Sequence, residues 1–439
     1  MAIMTLLPIF AFTAFASSPL YRKMSQSHKI YTQPTKSSTV RGYAATGSYI
    51  QIVEDVYNSS SEDCVQGWAR LQQGFICLDA TEESYGAQDV AWTLSWAPPE
   101  PSDSNQDYWI ENWQPHDDIE RLVPRVHARI KEGNRGRLWS SAAAYEDGER
   151  ANWRLKPDRD YSFVDVVETE RGWVLVRPNG RVSPVEEWLV YPVSRFEGRH
   201  LSYDPVPLAQ QAAWVVNPQG ALVYGDPDDS SKPMWTALFQ ESLNIRFFNE
   251  EWMEIPDVLG SNKHAYIRTE DVAVWTSESP PNEVSKNSIW VDVDIEEQVL
   301  ALMFGEEPLF LTLISSAKPE FETPVGIFSI YKKALAWDLA SKPEAQTEIY
   351  YLEQVPWVMH YYPRYALHSA FWHDDFGIPS SHGCINLSPR DAAYIFEYMK
   401  PDLPEGWKRT QRFSGEDGSI VRIRQGDELD VPVQIIRKF

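Results

Sequence analysis

The chain has 439 residues, enough for three domains at roughly 150 residues each, so one compact core is not expected. Its 40 Lys and Arg against 63 Asp and Glu leave a formal net charge of −23, which disfavours nucleic-acid binding and adhesion to an anionic membrane surface. With 43% apolar and 23% charged residues wholesale disorder is excluded, while 18 Trp and 31 Pro point to small β-rich modules joined by Pro-bearing turns.

Residues 3–15 (IMTLLPIFAFTAF) form an apolar run too short to span a bilayer but of signal-peptide length, and Ala14-Phe15-Ala16 supplies a small-x-small cleavage site. No Lys or Arg precedes the run. Residues 1–16 are therefore expected to be a signal peptide and the protein to be exported, to a periplasm or cell envelope. Three cysteines in an oxidising compartment divide into a pair and a remainder. Cys64 and Cys77 enclose Gly67-Trp68 and Gly74-Phe75, which fits a hairpin stapled by a disulfide; two reduced core cysteines are the other reading. Cys384 is left alone, and a leftover thiol calls for chemistry or intermolecular pairing.

Short apolar runs alternating with turn residues predict a small β-barrel over residues 40–85. The stretch 98–107 (PPEPSDSNQD) reads as a linker or long loop. Residues 108–205 are β-rich, with FVDVVET and GWVLVRP as strands, in a fold the pattern does not define. A second small barrel is expected over 210–280, with WVVN, ALVYG, LNIRFF, AYIRT and VAVWT as strands. The two barrels resemble bacterial Src-homology-3-like modules, which implies possible cell-wall binding; spacers or packing partners are an equally good reading.

The last third carries the chemistry. Residues 290–299 (WVDVDIEEQV) alternate Val291, Val293 and Ile295 with Asp292, Asp294 and Glu296, a strand period. After the turn at Gly305-Glu306-Glu307, Leu309, Leu311 and Leu313 resume the alternation. Thr323-Pro324-Val325-Gly326 turns into another strand. In residues 359–386 four of the nine histidines, His360, His368, His373 and His382, fall within 23 residues, and Cys384 lies beside the last. A thiol becomes a good nucleophile when a neighbouring base takes its proton, and imidazole is the usual base. Gly383 lets the backbone turn tightly and aim N–H groups at an oxyanion. Ser388 as N-cap, Pro389 at N1 and Asp391 at N3 start a helix whose apolar face is Ala392, Ile395, Phe396 and Met399.

This segment resembles the catalytic domain of the L,D-transpeptidases (YkuD-type) at His368, Ser381, His382, Gly383, Cys384 and Asn386, with Gln298 and the Thr323-Pro324-x-Gly326 turn also in place. The resemblance covers about residues 290–423, and the domain is bounded at 288–430. It implies Cys384 as nucleophile, His368 as general base oriented by the Ser369 carbonyl, His382 as a shaping residue and the amides around Gly383 and Cys384 as oxyanion hole. Asn386, Ser381, Tyr362 and Trp372 are the implied substrate-binding residues. Only twelve residues separate His368 from Ser381, so any lid is short or rebuilt from Tyr361, Tyr362, Trp372 and the upstream domains.

Zinc is the main rival, but spacings of eight, five and nine between the histidines match no compact ligand pair, and no metal or cofactor is expected. His360 and His373 occupy no motif position and are assigned to core or rim. Arg364 and Arg390 could pair with a substrate carboxylate, although surface arginines are ordinarily solvated. The expectation is a mainly β, multidomain protein whose C-terminal mixed-β catalytic sandwich has a helix after the nucleophile. By resemblance it is a peptidoglycan L,D-transpeptidase acting on stem peptides and open to covalent inhibition by carbapenems. The alternatives are an endopeptidase or carboxypeptidase using the same acyl-enzyme, and a non-catalytic wall-binding protein.

Overall fold

The computed structural model describes residues 20–46, 48–54, 64–86, 125–227, 232–256, 263–341, 349–413, 416–426 and 431–434. The expected signal peptide and the 98–107 linker lie outside the described residues. Two compact units are present, one drawn from residues 1–93 and 404–408, the other from 94–403 and 409–439. Among the described residues no helix is long and apolar enough to cross a membrane.

In the first unit Leu20–Met24 pairs antiparallel with Tyr49–Ile52 and with Thr81–Gly86. A second antiparallel run places Val40–Ala44, His28–Tyr31, Gly74–Cys77 and Trp68–Leu71 in that order. Two of these strands precede residue 40; their Arg, Lys and His residues leave too short an apolar alternation to read. The hairpin at 68–77 has Trp68 opposite Cys77, and Cys77 is bonded to Cys64. Cys64 and Cys77 pack with Tyr31 and Trp68 in the small core. Gly74 has φ +146°, and a Cβ there would stand 2.7 Å from the Tyr31 carbonyl oxygen, so glycine is required.

In the second unit Trp188–Val190, Val126–Ile130 and Asp160–Phe163 form adjacent antiparallel strands. Asp165–Thr169, Gly172–Val176 and Val182–Pro184 form a meander beside them, and the first two of these are the FVDVVET and GWVLVRP strands. A seven-stranded array follows between residues 211 and 274. Five of its strands match the apolar patterns; Pro233–Ala237 and Trp252–Ile255 do not. The first opens on Pro, and the second carries Glu254, whose charge is met by Arg246 at 2.6 Å and His264 at 2.7 Å.

The remaining strands enclose the largest core. β1 (Ile289–Asp294), β2 (Val299–Phe304) and β3 (Glu307–Leu313) form an antiparallel meander. β4 (Gly326–Ser329) leads to the long pair β5 (Lys332–Ala340) and β6 (Tyr351–Tyr362), followed by β7 (Tyr365–Ser369) and β8 (Ile385–Leu387). Helix α1 (Pro389–Tyr398) comes next, and β9 (Ile420–Arg424) inserts between β1, to which it is parallel, and β4. Val291, Val293, Leu300, Leu302 and Phe310 from one sheet meet Met359, Tyr361, Leu367, Ile385 and Leu387 from the other, with Ala392, Ile395, Phe396 and Met399 of α1 closing the layer. The protein is thus mainly β and multidomain, with a mixed-β sandwich and a helix in its last third.

Three details differ from the sequence pattern. The strand read over 290–299 stops at Asp294, and Gln298, at φ +57°, sits in the turn into β2. The acidic face of β1 is buried. Arg422 on β9 donates twice to Asp292, at 2.6 and 2.8 Å, while Arg424 donates to Asp294 at 2.6 Å and to Asp292 at 3.3 Å. Asp391 at N3 of α1 accepts from Gly198 N–H at 3.1 Å and from the Thr312 hydroxyl, instead of turning back to close a capping box. The N-cap itself forms as the spacing predicts, Ser388 Oγ accepting from Asp391 N–H at 3.2 Å. At the other end Lys333 Nζ donates to the carbonyls of Phe396 and Met399 at 2.6 and 2.5 Å.

Asp292→Ala leaves Arg422 buried without its partner and should cost about 3–5 kcal/mol in urea unfolding. Asp292→Asn, which keeps hydrogen-bond acceptance, should cost less. For the thiols, native protein under oxidising conditions should give one alkylated site, at Cys384. Replacing Cys64 and Cys77 with Ser should lower stability by about 2–4 kcal/mol.

Candidate active site

Cys384 stands at the end of a tight turn that three side chains build. Ser381 Oγ accepts from Gly383 N–H at 2.9 Å and donates to the Cys384 carbonyl at 2.6 Å, closing the four-residue loop on itself. Thr323 Oγ1 donates to the Gly383 carbonyl at 3.1 Å while accepting from Ala317 N–H at 3.0 Å. Gln298 holds the neighbouring strand end: its Oε1 accepts from Ser316 N–H at 2.8 Å and its Nε2 donates to Ser316 Oγ at 2.6 Å. Gly383 has φ +121°, and a Cβ would meet the Glu322 carbonyl oxygen and the Tyr365 ring at 2.7 Å each. The glycine is therefore fixed by sterics before any catalytic demand.

β7 and β8 run parallel with His368 opposite Asn386. Cys384 directly precedes β8, two residues before Asn386, so it stands at the strand end next to the His368–Asn386 pair. His368 is buried, and its Nδ1 lies 3.0 Å from the Ser369 carbonyl, which can only accept. The proton therefore sits on Nδ1, and Nε2 keeps the basic lone pair. Burial lowers the His368 pKa to about 4 and raises that of Cys384 to about 11, the latter opposed by the Ala366 amide. The resting pair is a neutral imidazole and a thiol, not an ion pair. Cys384 Sγ is half-buried and lies 3.8 Å from the Arg364 carbonyl as its hydrogen-bond donor.

The other expected residues divide. Trp372 borders His368 with ring centroids 5.8 Å apart. The His382 ring lies against Phe321 at 4.4 Å and Tyr350 at 4.9 Å. Tyr362 is partly buried and packs on Phe328 at 5.4 Å, against the sandwich core. The Gly383 N–H, expected to point at an oxyanion, is already bonded to Ser381. This leaves the Cys384 amide as the turn's donor. Arg390 pairs with Glu197 at 2.7 Å.

Sequence reasoning missed His373. Its Nδ1 accepts from Asp375 N–H at 3.1 Å, and its Nε2 lies 2.9 Å from the Asn386 amide, so it fixes the residue that faces His368. It also missed what holds the segment between His368 and Ser381. Phe371 is stacked at 3.7 Å on His127 from the strand Val126–Ile130, and Gln240 Nε2 donates to the carbonyls of Asp374 and Phe376 at 2.8 and 3.1 Å. Ser194 donates to the Asp374 carboxylate. No single-sequence signal links positions 127, 194 and 240 to this loop. The one metal-like group among the described residues is Cys64, Cys77 and Asp79, two members of which are bonded to each other.

With the thiol raised to about 11, deprotonation lies far above neutrality. Alkylation of Cys384 by iodoacetamide should therefore rise about tenfold per pH unit from pH 7 to 10, without the plateau that a preformed thiolate–imidazolium pair gives.

Residues 288–423 match the family model described as the L,D-transpeptidase catalytic domain (YkuD). The chain is 25% identical over 149 residues to the L,D-transpeptidase candidate YciB of Bacillus subtilis (strain 168), covering 30% of this chain and 72% of that protein. Among solved structures it is similar to an Enterococcus faecium L,D-transpeptidase mutant (21% identity, 31% of this chain and 50% of that one, TM-score 0.25). It is also similar to L,D-transpeptidase 3 from Mycobacterium tuberculosis in complex with a faropenem-derived adduct (18% identity, 37% and 74%, TM-score 0.26). The chain thus spans half the length of the first of these structures. On the family match, residues 288–423 carry the L,D-transpeptidase catalytic domain.

Proposed function

We propose that this protein is a peptidoglycan L,D-transpeptidase working in the cell envelope, with Cys384 as nucleophile and His368 as general base. The observation that carries the reading is the Nδ1-tethered, neutral His368, paired across β7 and β8 with Asn386 two residues after the half-buried thiol, within the matched domain. His368 Nε2 takes the thiol proton as Sγ attacks the carbonyl of the third stem residue. The Cys384 amide faces the developing oxyanion. Collapse of the tetrahedral intermediate breaks the peptide bond, His368 returns the proton to the leaving amine, and D-alanine departs, leaving a thioester on Sγ. An amine from a neighbouring stem then attacks the thioester, gives its proton to His368 and forms a 3→3 cross-link while the thiol is regenerated.

The pKa pair supports this order of events. A base at about 4 is already unprotonated at neutral pH, and a thiol at about 11 keeps its proton until attack, so proton transfer belongs to the acylation step itself. The carboxylate-bearing stem and its acceptor both come from the wall polymer, which also agrees with the disulfide in the first unit, a bond of oxidising compartments.

A carbapenem offers a strained amide that the same nucleophile can open, giving a thioester with no leaving group to expel. The intact protein should gain the mass of one carbapenem at Cys384. The adduct should be absent in Cys384→Ala and form about 10² to 10⁴ times more slowly in His368→Ala. Folded, unmodified wild-type protein with Cys384 reduced would defeat the proposal and favour a wall-binding role. Incubation with disaccharide tetrapeptide, with and without an added amine, then identifies the transfer product by mass spectrometry.

A further inference from the structure

We propose that Arg364 is a specificity residue that binds a carboxylate of the acyl-donor peptide, an inference that rests on the transpeptidase reading above. Tyr362 and Tyr365 pair across the β6–β7 hairpin, so its loop is only Pro363 and Arg364. Pro363 fixes its own φ near −65°, and Arg364 has φ +74°, the left-handed conformation that the second position of such a turn demands. Glycine or asparagine meets that demand with little strain, whereas an arginine there is strained, and strained residues of this kind cluster at ligand sites.

The turn lies over the nucleophile. Arg364's own carbonyl accepts from Cys384 Sγ at 3.8 Å, so the side chain starts within a few bonds of the reacting atom. Arg364 is exposed, and its charge acts on Tyr350 and Tyr365, two of the three tyrosine hydroxyls on which a Cys384 thiolate also acts. Glu322, an acid whose charge also reaches Tyr365, forms no ion pair with Arg364, and no carboxylate among the described residues does. The contrast with Arg390, the other arginine of this segment, is direct: that one is tied to Glu197. Arg364 is thus a fork-shaped donor set, held at the lip of the site by its backbone and without an internal acid.

A tetrapeptide donor brings three carboxylates, two of them on the residues that flank the attacked bond. The terminal one follows the attacked carbonyl by one residue, about 4 Å; the other is on the side chain of the diaminopimelate residue. Both present the planar pair of oxygens that a guanidinium binds bidentately, and amidating each in turn separates them.

The test uses the full chain with L-Ala-γ-D-Glu-meso-diaminopimelate-D-Ala and the two forms of it mono-amidated at one or the other of those flanking carboxylates. Arg364→Gln and Arg364→Gly should raise KM for the unmodified donor about tenfold or more with kcat within about twofold, and Arg364→Lys should recover part of the loss. Arg364→Gly retains the turn, and iodoacetamide alkylation of Cys384 at pH 9 should be unchanged in it, which reports that the hairpin and thiol are intact. Against the donor amidated at the contacted carboxylate, wild type should fall to the variants' level and the variants should lose nothing further. The same pattern should appear in calorimetric binding to Cys384→Ala protein. If wild type turns over the donor and all three variants match it, or if amidation weakens wild type and variants equally, this inference fails while the transpeptidase reading stands. If wild type turns over no donor, both fail.

Discussion

The catalytic domain depends on a ladder of four buried charges. Asp292 and Asp294 on β1 face Arg422 and Arg424 on β9 across a parallel pairing in which Asp292 is opposite Arg422 and Asp294 opposite Arg424. A one-residue slip would leave two carboxylates and two guanidinium groups buried without partners, so the charges set the register as well as occupying it. Arg422 and Arg424 also donate to the carbonyls of Ser279 and Thr276, which ties the segment leading into the domain to its last strand. With β1 fixed, β2 and β3 follow by antiparallel pairing, and Thr312 on β3 reaches Asp391 in the first turn of α1. That helix begins two residues after β8, and Cys384 directly precedes β8.

At the site, desolvation dominates. His360, His368 and His373 all have pKa values pushed down by burial, to about 3, 4 and 4, so these three imidazoles are neutral at physiological pH. Burial raises the thiol, opposed by the Ala366 amide. The precision of the site comes from hydrogen bonds in place of charge. Ser369 fixes the tautomer of His368, Ser381 and Thr323 fix the turn, and His373 fixes Asn386. An uncharged site of this kind gives its largest stabilisation when charge appears in it, because the donors are already oriented.

Much of this was legible in the sequence, for identifiable reasons. The Ser-His-Gly-Cys run and the Ser388-Pro389 helix start are local patterns whose geometry follows from a few adjacent residues, and α1 forms where its cap and apolar spacing place it. Alternation revealed β1 but overshot its end, since Ile295 continues the period into a turn that Gln298 makes by its positive φ. The alternation also could not say that the acidic face is buried, because the arginines that neutralise it lie 130 residues away. His373 was passed over because its role depends on a loop conformation, and Gly383 was assigned an oxyanion contact because the competing Ser381 acceptor is visible only in three dimensions. Strands holding a compensated charge, such as Trp252–Ile255 with Glu254, were lost for the same reason: the partner is supplied by the fold.

The short stretch between His368 and Ser381 gives the upstream strands of the second unit a specific task. Eleven residues without regular strands cannot build a core of their own, and a loop of that kind would ordinarily sample many conformations. Here Phe371 is packed by His127 and Tyr191, Phe376 by Phe196, and the backbone at Asp374 and Phe376 is held by Gln240. Each brace comes from residues before 241, and each falls on the loop that carries Trp372 and His373 against His368. The ordering entropy of the loop is therefore met by contacts outside the family-matched segment. It follows that the residues preceding 288 in this unit are part of the site's architecture whatever else they bind, and that the isolated 288–423 segment would leave the loop beside the proposed base without its anchors.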